Sequence, residues 1–349
     1  MNILNTEIVV DIFKDHREIS LEGKWITLKN IEGLIKNRSS SFEVKTIGGS
    51  EERQPIYSLK IGRGTKKILL WSQMHGNEST GTKALFDLFN YLEAAPDAML
   101  SQILDECTLL FIPMLNPDGA DNYTRVNGQN IDLNRDAVNQ VAKESQLLRK
   151  TLERFNPMFC FNLHDQRTIF GVEGTKNPAT VSFLAPSEEI TRAITEGRKQ
   201  TMNVIVAMNL LLQQIIPNHV GRYTDEFYPT ATGDNFQKLG YNTVLIESGH
   251  FYNDYDREES RKFTFYALLQ GLYHIATATH YSAYKAYFDI PNNQKIFFDI
   301  IDRNEEEKLT IVSQYRDEIT NGKLVSKLEN IEVNNPNNYL GHNENVFEN

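Results

Sequence analysis

Four short apolar runs, each leading into polar residues that can do chemistry, constrain this chain more than any other feature. They are KKILLWSQM at 66–74, TLLFIPML at 108–115, MFCFNL at 158–163 and NTVLIE at 242–247. Each is short and rich in aliphatic or aromatic residues, so each reads as a buried strand. Between them the period changes. From Gly81 to Leu92, the residues Ala84, Leu85, Leu88, Tyr91 and Leu92 fall on one helical face, and further helices are expected at about 139–155, 188–214 and 258–279. Strands alternating with helices imply an α/β fold: a mostly parallel or mixed sheet with helices on both faces. FEVKTIGGS and PIYSLKIGRG, from residue 42, add an antiparallel hairpin.

With 349 residues, 40% hydrophobic and 23% charged, the chain has the composition of an ordinary globular protein. A net charge of -10 argues against nucleic acid or an anionic membrane as partner, since both attract basic surfaces. Cys107 and Cys160 are the only cysteines; both lie in apolar runs and read as buried thiols. The first twenty residues are interrupted by Glu7, Asp11 and Lys14 and lack the pattern of a secretory leader, so a cytoplasmic location is expected. No apolar run approaches the ~20 residues that would span a bilayer. After residue 283 the texture becomes that of short strands, including a run at 307–317; the tail from Asn334 is Asn-rich, and about its last ten residues are expected to be loosely held. The expected division is an N-terminal segment at 1–42, a catalytic domain at 43–282 and a small β-rich extension at 283–349.

The apolar runs lead into informative residues. The first runs into His75 and Glu78, the second into Asn116-Pro117-Asp118-Gly119, the third into His164, and the fourth ends on Glu247. Ligands of open α/β sheets bind at such carboxyl ends. Catalytic zinc takes three protein ligands and keeps one position open. An imidazole and a carboxylate three residues apart, with Gly76 allowing a tight turn, supply two, and His164 can supply the third from another strand. His-x-x-Glu alone is a weak signal; the whole constellation is not.

Taken in order, His75-Gly-Asn-Glu78, Asn116-Pro-Asp-Gly119, Arg125-Val-Asn127, Asp132-Leu-Asn134-Arg135, His164 and Glu247 resemble the zinc carboxypeptidase family over roughly residues 43–280. Two histidines and a glutamate are the ligand set of carboxypeptidase A itself. The resemblance implies a three-layer α/β/α sandwich with an eight-stranded mixed sheet. It also implies one zinc per chain held by His75, Glu78 and His164, with Asp132 orienting His75. Glu247 would be the general base, Arg125 would stabilise the oxyanion, and Asn134 and Arg135 would bind the substrate's terminal carboxylate. For the family's substrate-covering tyrosine the candidate is Tyr228, one position out of register, with Tyr223 as a second possibility. Ser248-Gly249-His250 after Glu247, and Asp165-Gln166 after His164, depart from digestive carboxypeptidases and bear on the substrate pocket; His250 reads as a surface or supporting histidine.

The implied activity is hydrolysis of a peptide or amide bond next to a free carboxylate. The alternatives are an N-acyl amino-acid deacylase resembling aspartoacylase or succinylglutamate desuccinylase, a murein peptide amidase, or a non-catalytic carboxylate-binding protein. The expected partner is a peptide or acylated amino acid with a free carboxylate, and the oligomeric state is left open.

Overall fold

The four apolar runs become adjacent strands of a single sheet. The computed structural model describes residues 1–304 and 309–347. In chain order the strands are β1 (Glu43–Gly49), β2 (Pro55–Gly62), β3 (Lys66–Trp71), β4 (Cys107–Ile112), β5 (Phe159–Asp165), β6 (Phe170–Val172), β7 (Val181–Leu184), β8 (Val220–Arg222) and β9 (Asn242–Ser248). Past the last helix come β10 (Asn293–Lys295), β11 (Phe297–Asn304), β12 (Leu309–Thr320), β13 (Lys323–Asn330) and β14 (Leu340–Phe347). The helices are α1 (Thr6–His16), α2 (Leu28–Lys36), α3 (Thr80–Leu92), α4 (Ala98–Glu106), α5 (Pro117–Asp121), α6 (Lys143–Phe155), α7 (Glu196–Ile215), α8 (Thr232–Lys238) and α9 (Glu258–Thr277).

The main sheet has eight strands in the order β1-β2-β4-β3-β5-β9-β7-β8. Its centre, β4-β3-β5-β9, is parallel, whereas β2 pairs antiparallel with both β1 and β4, and β7 runs antiparallel to β9. The central strands alternate their side chains between two cores, as a period of two requires. Ile68, Leu70, Phe159 and Phe161 pack with residues of α1, α2, α3, α4, α7 and α9. Leu69, Trp71 and Cys160 face Leu148 and Leu152 of α6 and Phe236 of α8. This is the expected three-layer sandwich. Both cysteines are buried and unpaired, and burial pushes the Cys107 thiol up to about 12.

The long helix expected from residue 188 starts later. Thr195 caps α7 by accepting a hydrogen bond from Arg198 N, and upstream of it Arg192 has φ 59°, which no helix continues through. The chain from Leu340 to Phe347, expected to be loosely held, pairs parallel with β11 and completes a second, four-stranded sheet in the order β13-β12-β11-β14. Glu307 and Lys308 of the expected run at 307–317, and the last two residues of the tail, lie outside the described residues. Among the described residues no helix is long and apolar enough to cross a membrane.

A buried ion pair ties the N-terminal helices to the sandwich. Arg261 of α9 binds both oxygens of Asp87 in α3, at 2.7 and 2.6 Å, with both side chains fully buried. Its Nη donors also reach the carbonyls of Leu21 and Glu18 and, at 3.1 Å, the Glu258 carboxylate, while Asp87 accepts the backbone N–H of Glu18.

Candidate metal centre

His75 lies four residues beyond β3, in a loop that needs close backbone approach. A Cβ on Gly76 would come within 1.9 Å of the Gly119 carbonyl carbon, so glycine is required there. The Asn116-Pro-Asp-Gly turn buttresses this loop: Asn116 accepts from Gly119 N at 2.9 Å and donates to Met74 O at 3.2 Å. Gln73, with φ 50°, holds the other side by donating to the carbonyls of Ile26 and Gly76.

Three ligand-type side chains converge from there. His75 Nδ1 lies 2.8 Å from Glu78 Oε1, His164 Nδ1 lies 2.7 Å from Glu78 Oε2, and the two Nδ1 atoms are 3.1 Å apart. One potential ligand atom from each falls within 4.8 Å of the others, and all three residues are buried. The donor set fits a zinc ion in chemistry and number, because His75 Nε2 must donate to the Asp132 carboxylate 3.1 Å away, which leaves Nδ1 as a lone pair facing the site. Burial by itself would raise Glu78, but the two histidines outweigh it and hold the carboxyl well below its usual range. Asp132 is also depressed: His75 and Arg125 overcome its burial.

Glu247 stands beside His164 in the register of β5 and β9. Burial, followed by the negative charges of Glu78 and Asp165, pushes its carboxyl well above the usual range. Arg125 donates through Nε to Asp132 at 2.9 Å, and its Nη1 lies 3.2 Å from His75 Nδ1. Asn134 and Arg135 occupy a short 3-10 turn at 133–135 that Asp132 caps by accepting from Asn134 N. Both line the same cavity of about 780 Å³ as the three metal-site residues, Arg125 and Glu247.

The structure brings Tyr223, not Tyr228, to this cavity. Tyr228 is 53% exposed with its hydroxyl on Glu226, whereas Tyr223 lines the wall and donates to Gln166 Oε1 at 2.8 Å. His250 is buried against Tyr255 and His342 and does not line the cavity.

Several cavity residues lay outside the motifs. Asp165 accepts from Thr80 N and Oγ1, and burial pushes its carboxyl up to about 6. Arg257 donates to the carbonyls of Ser248, Gly249 and Gln166, clamping together the ends of β5 and β9. The C-terminal sheet supplies one wall through Gln314, Tyr315, Arg316 and Asp317 of β12. Asp165 was legible as a polar residue next to His164; the C-terminal wall carried no local signal.

A family model described as zinc carboxypeptidase matches residues 28–196. The chain is zinc carboxypeptidase-like. The match, a little under half of the chain, takes in His75, Glu78, Arg125, Asp132 to Arg135 and His164, while Glu247 lies beyond it. Probable carboxypeptidase 2 of Trichophyton verrucosum is 28% identical over 103 residues, covering 29% of this chain and 20% of that protein. Carboxypeptidase M of Mus musculus is 28% identical over 157 residues, 38% of this chain and 35% of that protein. The chain thus matches about a fifth to a third of the length of these relatives. In fold it is similar to a metallo-carboxypeptidase from Burkholderia cenocepacia, with a TM-score of 0.55, 20% identity and coverage of 70% of this chain and 67% of that one. It is also similar to carboxypeptidase A from Helicoverpa armigera, with a TM-score of 0.57, 14% identity and coverage of 80% and 83%.

Proposed function

We propose that this zinc carboxypeptidase-like chain hydrolyses a peptide or amide bond next to a free carboxylate, with one zinc per chain held by His75, Glu78 and His164. The observation that carries this reading is the convergence of three ligand atoms within 4.8 Å, in one cavity with Glu247. Zinc bound there would polarise the scissile carbonyl and acidify the attacking water.

The protein's own groups do the rest. Glu247 accepts a proton from the attacking water and passes it to the departing nitrogen, a role suited to a carboxyl raised above its usual range. Arg125, with 45% of its side chain exposed, keeps donors free to meet the carbonyl oxygen as charge develops on it. Arg135 donates only to the neighbouring Asn134 carbonyl among the described residues, so its remaining donors can take a carboxylate. Tyr223 replaces Tyr228 as the tyrosine for this cavity.

The wall contributed by β12 bounds the cavity and suits compact substrates, which keeps the N-acyl amino-acid deacylase reading alongside the peptidase one. Turnover of a short peptide against that of an N-acyl amino acid, both by the zinc-loaded protein, separates the two. Failure to turn over either would defeat the proposal.

A further inference from the structure

Beyond β5 the chain runs along the cavity wall through Gln166, Arg167 and Thr168, and the two outer residues are pinned from several sides. Gln166 donates its backbone N–H to Ser248 O at 2.9 Å and its amide to Ala179 O and Ser182 Oγ. It accepts from Tyr223 at 2.8 Å and Asn293 at 3.1 Å on Oε1, and from Arg257 at 2.8 Å on its carbonyl. Thr168 is gripped from the C-terminal sheet: Gln314 donates to its Oγ1 at 2.5 Å, and His342 Nε2 donates to its carbonyl at 2.8 Å.

Arg167 sits between these anchors, lines the cavity, and has no hydrogen bond or ion pair among the described residues. The other cations on the wall are committed. Lys24 pairs with Asp317 at 2.6 Å and Arg316 with Glu329 at 3.5 Å, Arg257 is spent on backbone carbonyls, and Arg125, besides its 2.9 Å pair with Asp132, is the group the proposed function assigns to the oxyanion. Arg135 is the group the proposed function assigns to the terminal carboxylate. A fixed backbone under a free, exposed guanidinium can serve as an anion receptor, because the planar fork can take a carboxylate bidentately and only the Arg167 side chain remains to be ordered. Phe170 and Tyr223, with ring centroids 5.3 Å apart, line the same part of the cavity and offer apolar surface for a short aliphatic stem.

We infer that Arg167 binds a second carboxylate, so that the substrate is a dicarboxylate: a peptide or acylated amino acid whose acidic side chain meets Arg167 while Arg135 holds its terminal carboxylate. This rests on the proposed function for the first carboxylate only.

The test is calorimetric titration of the zinc-loaded protein with glutarate and with its monoamide, glutaramate, neither of which offers a scissile peptide. Wild type should bind glutarate about fivefold more tightly than glutaramate, the upper range for an exposed ion pair. Arg167→Met should abolish that difference with zinc content and Tm unchanged, and Arg167→Lys should restore part of it. Equal binding of the two by wild type, including no measurable binding of either, or a preference that survives Arg167→Met, overturns the inference. A companion measurement compares kcat/KM for peptides ending in glutamate and glutamine. Arg167-dependent glutarate binding without peptide cleavage defeats the hydrolase reading alone, whereas equal cleavage of the two peptides defeats the second carboxylate alone.

Discussion

The Nδ1 atoms of His75 and His164 lie 3.1 Å apart, each with a Glu78 oxygen closer still. Two imidazole nitrogens and a carboxylate turned towards one point form a site that a cation would complete, since a bound metal is the common partner of all three. Zinc should therefore raise Tm, and a thousandfold excess over Kd corresponds to about 4 kcal/mol of stabilisation. His164→Ala should lose most of the bound zinc and most of the zinc-dependent rise in Tm. Elemental analysis with a thermal scan checks both, and an unchanged zinc content in the variant would remove His164 from the ligand set.

Glu247 is set apart from the proposed ligands by its place in β9 and by its charge environment. Glu247→Gln should retain zinc and fold while lowering kcat by roughly 10²–10⁴, the range for general acid–base catalysis. Near-normal kcat in a zinc-loaded variant would reject the role.

The direction of the Glu247 shift also fixes the sign of a pH effect. A base works only when deprotonated, and burial beside Glu78 and Asp165 keeps this carboxyl protonated to higher pH than an ordinary glutamate. With Glu247 as the proposed base, activity should be present above the raised pKa and lost as pH falls through it. The acid limb of kcat/KM should have its midpoint above the ordinary glutamate value of about 4.3. A profile flat down to about pH 4 would contradict this.

Arg125 and Arg135 should separate in kinetics. A peptide with a free carboxylate should be preferred over its amidated counterpart, Arg135→Ala should erase most of that preference, and Arg125→Ala should slow both substrates. Comparing kcat/KM for one matched pair on the three proteins is the check; equal cleavage of the pair by wild type would point to an endo-acting amidase instead.

Stability offers an independent prediction. Asp87 and Arg261 are both fully buried, and each also holds backbone of the N-terminal segment. Asp87→Ala leaves the buried guanidinium with Glu258, 3.1 Å from Nη1, as its one remaining carboxylate among the described residues, and should cost about 3 kcal/mol. A Tm close to that of wild type would show that water or another group replaces the carboxylate.

How much of this could be read from the sequence follows the range of the interactions. The central strands were legible because buried parallel strands are continuous apolar runs, and the residues following them fell where open sheets bind ligands. The start of α7 was misplaced because the turn at Arg192 and the cap at Thr195 interrupt an otherwise helical composition. Tyr228 was placed ahead of Tyr223, and the structure reverses that order: both sit near the same loop, and only packing decides which faces inward. The cavity wall from β12 was invisible: the Lys24–Asp317 contact spans 293 residues and leaves no local pattern. The pairing of β14 was hidden likewise, because an Asn-rich composition argues for a tail until a neighbouring strand satisfies its backbone.

The most direct test of the central claim is kcat/KM for a short peptide with a free carboxylate, measured on the protein stripped of metal by a chelator and again after titration with zinc. The metal-free protein should be inactive, and activity should return linearly and saturate at one zinc per chain. Equal turnover with and without zinc, or none with the metal fully bound, would contradict the account.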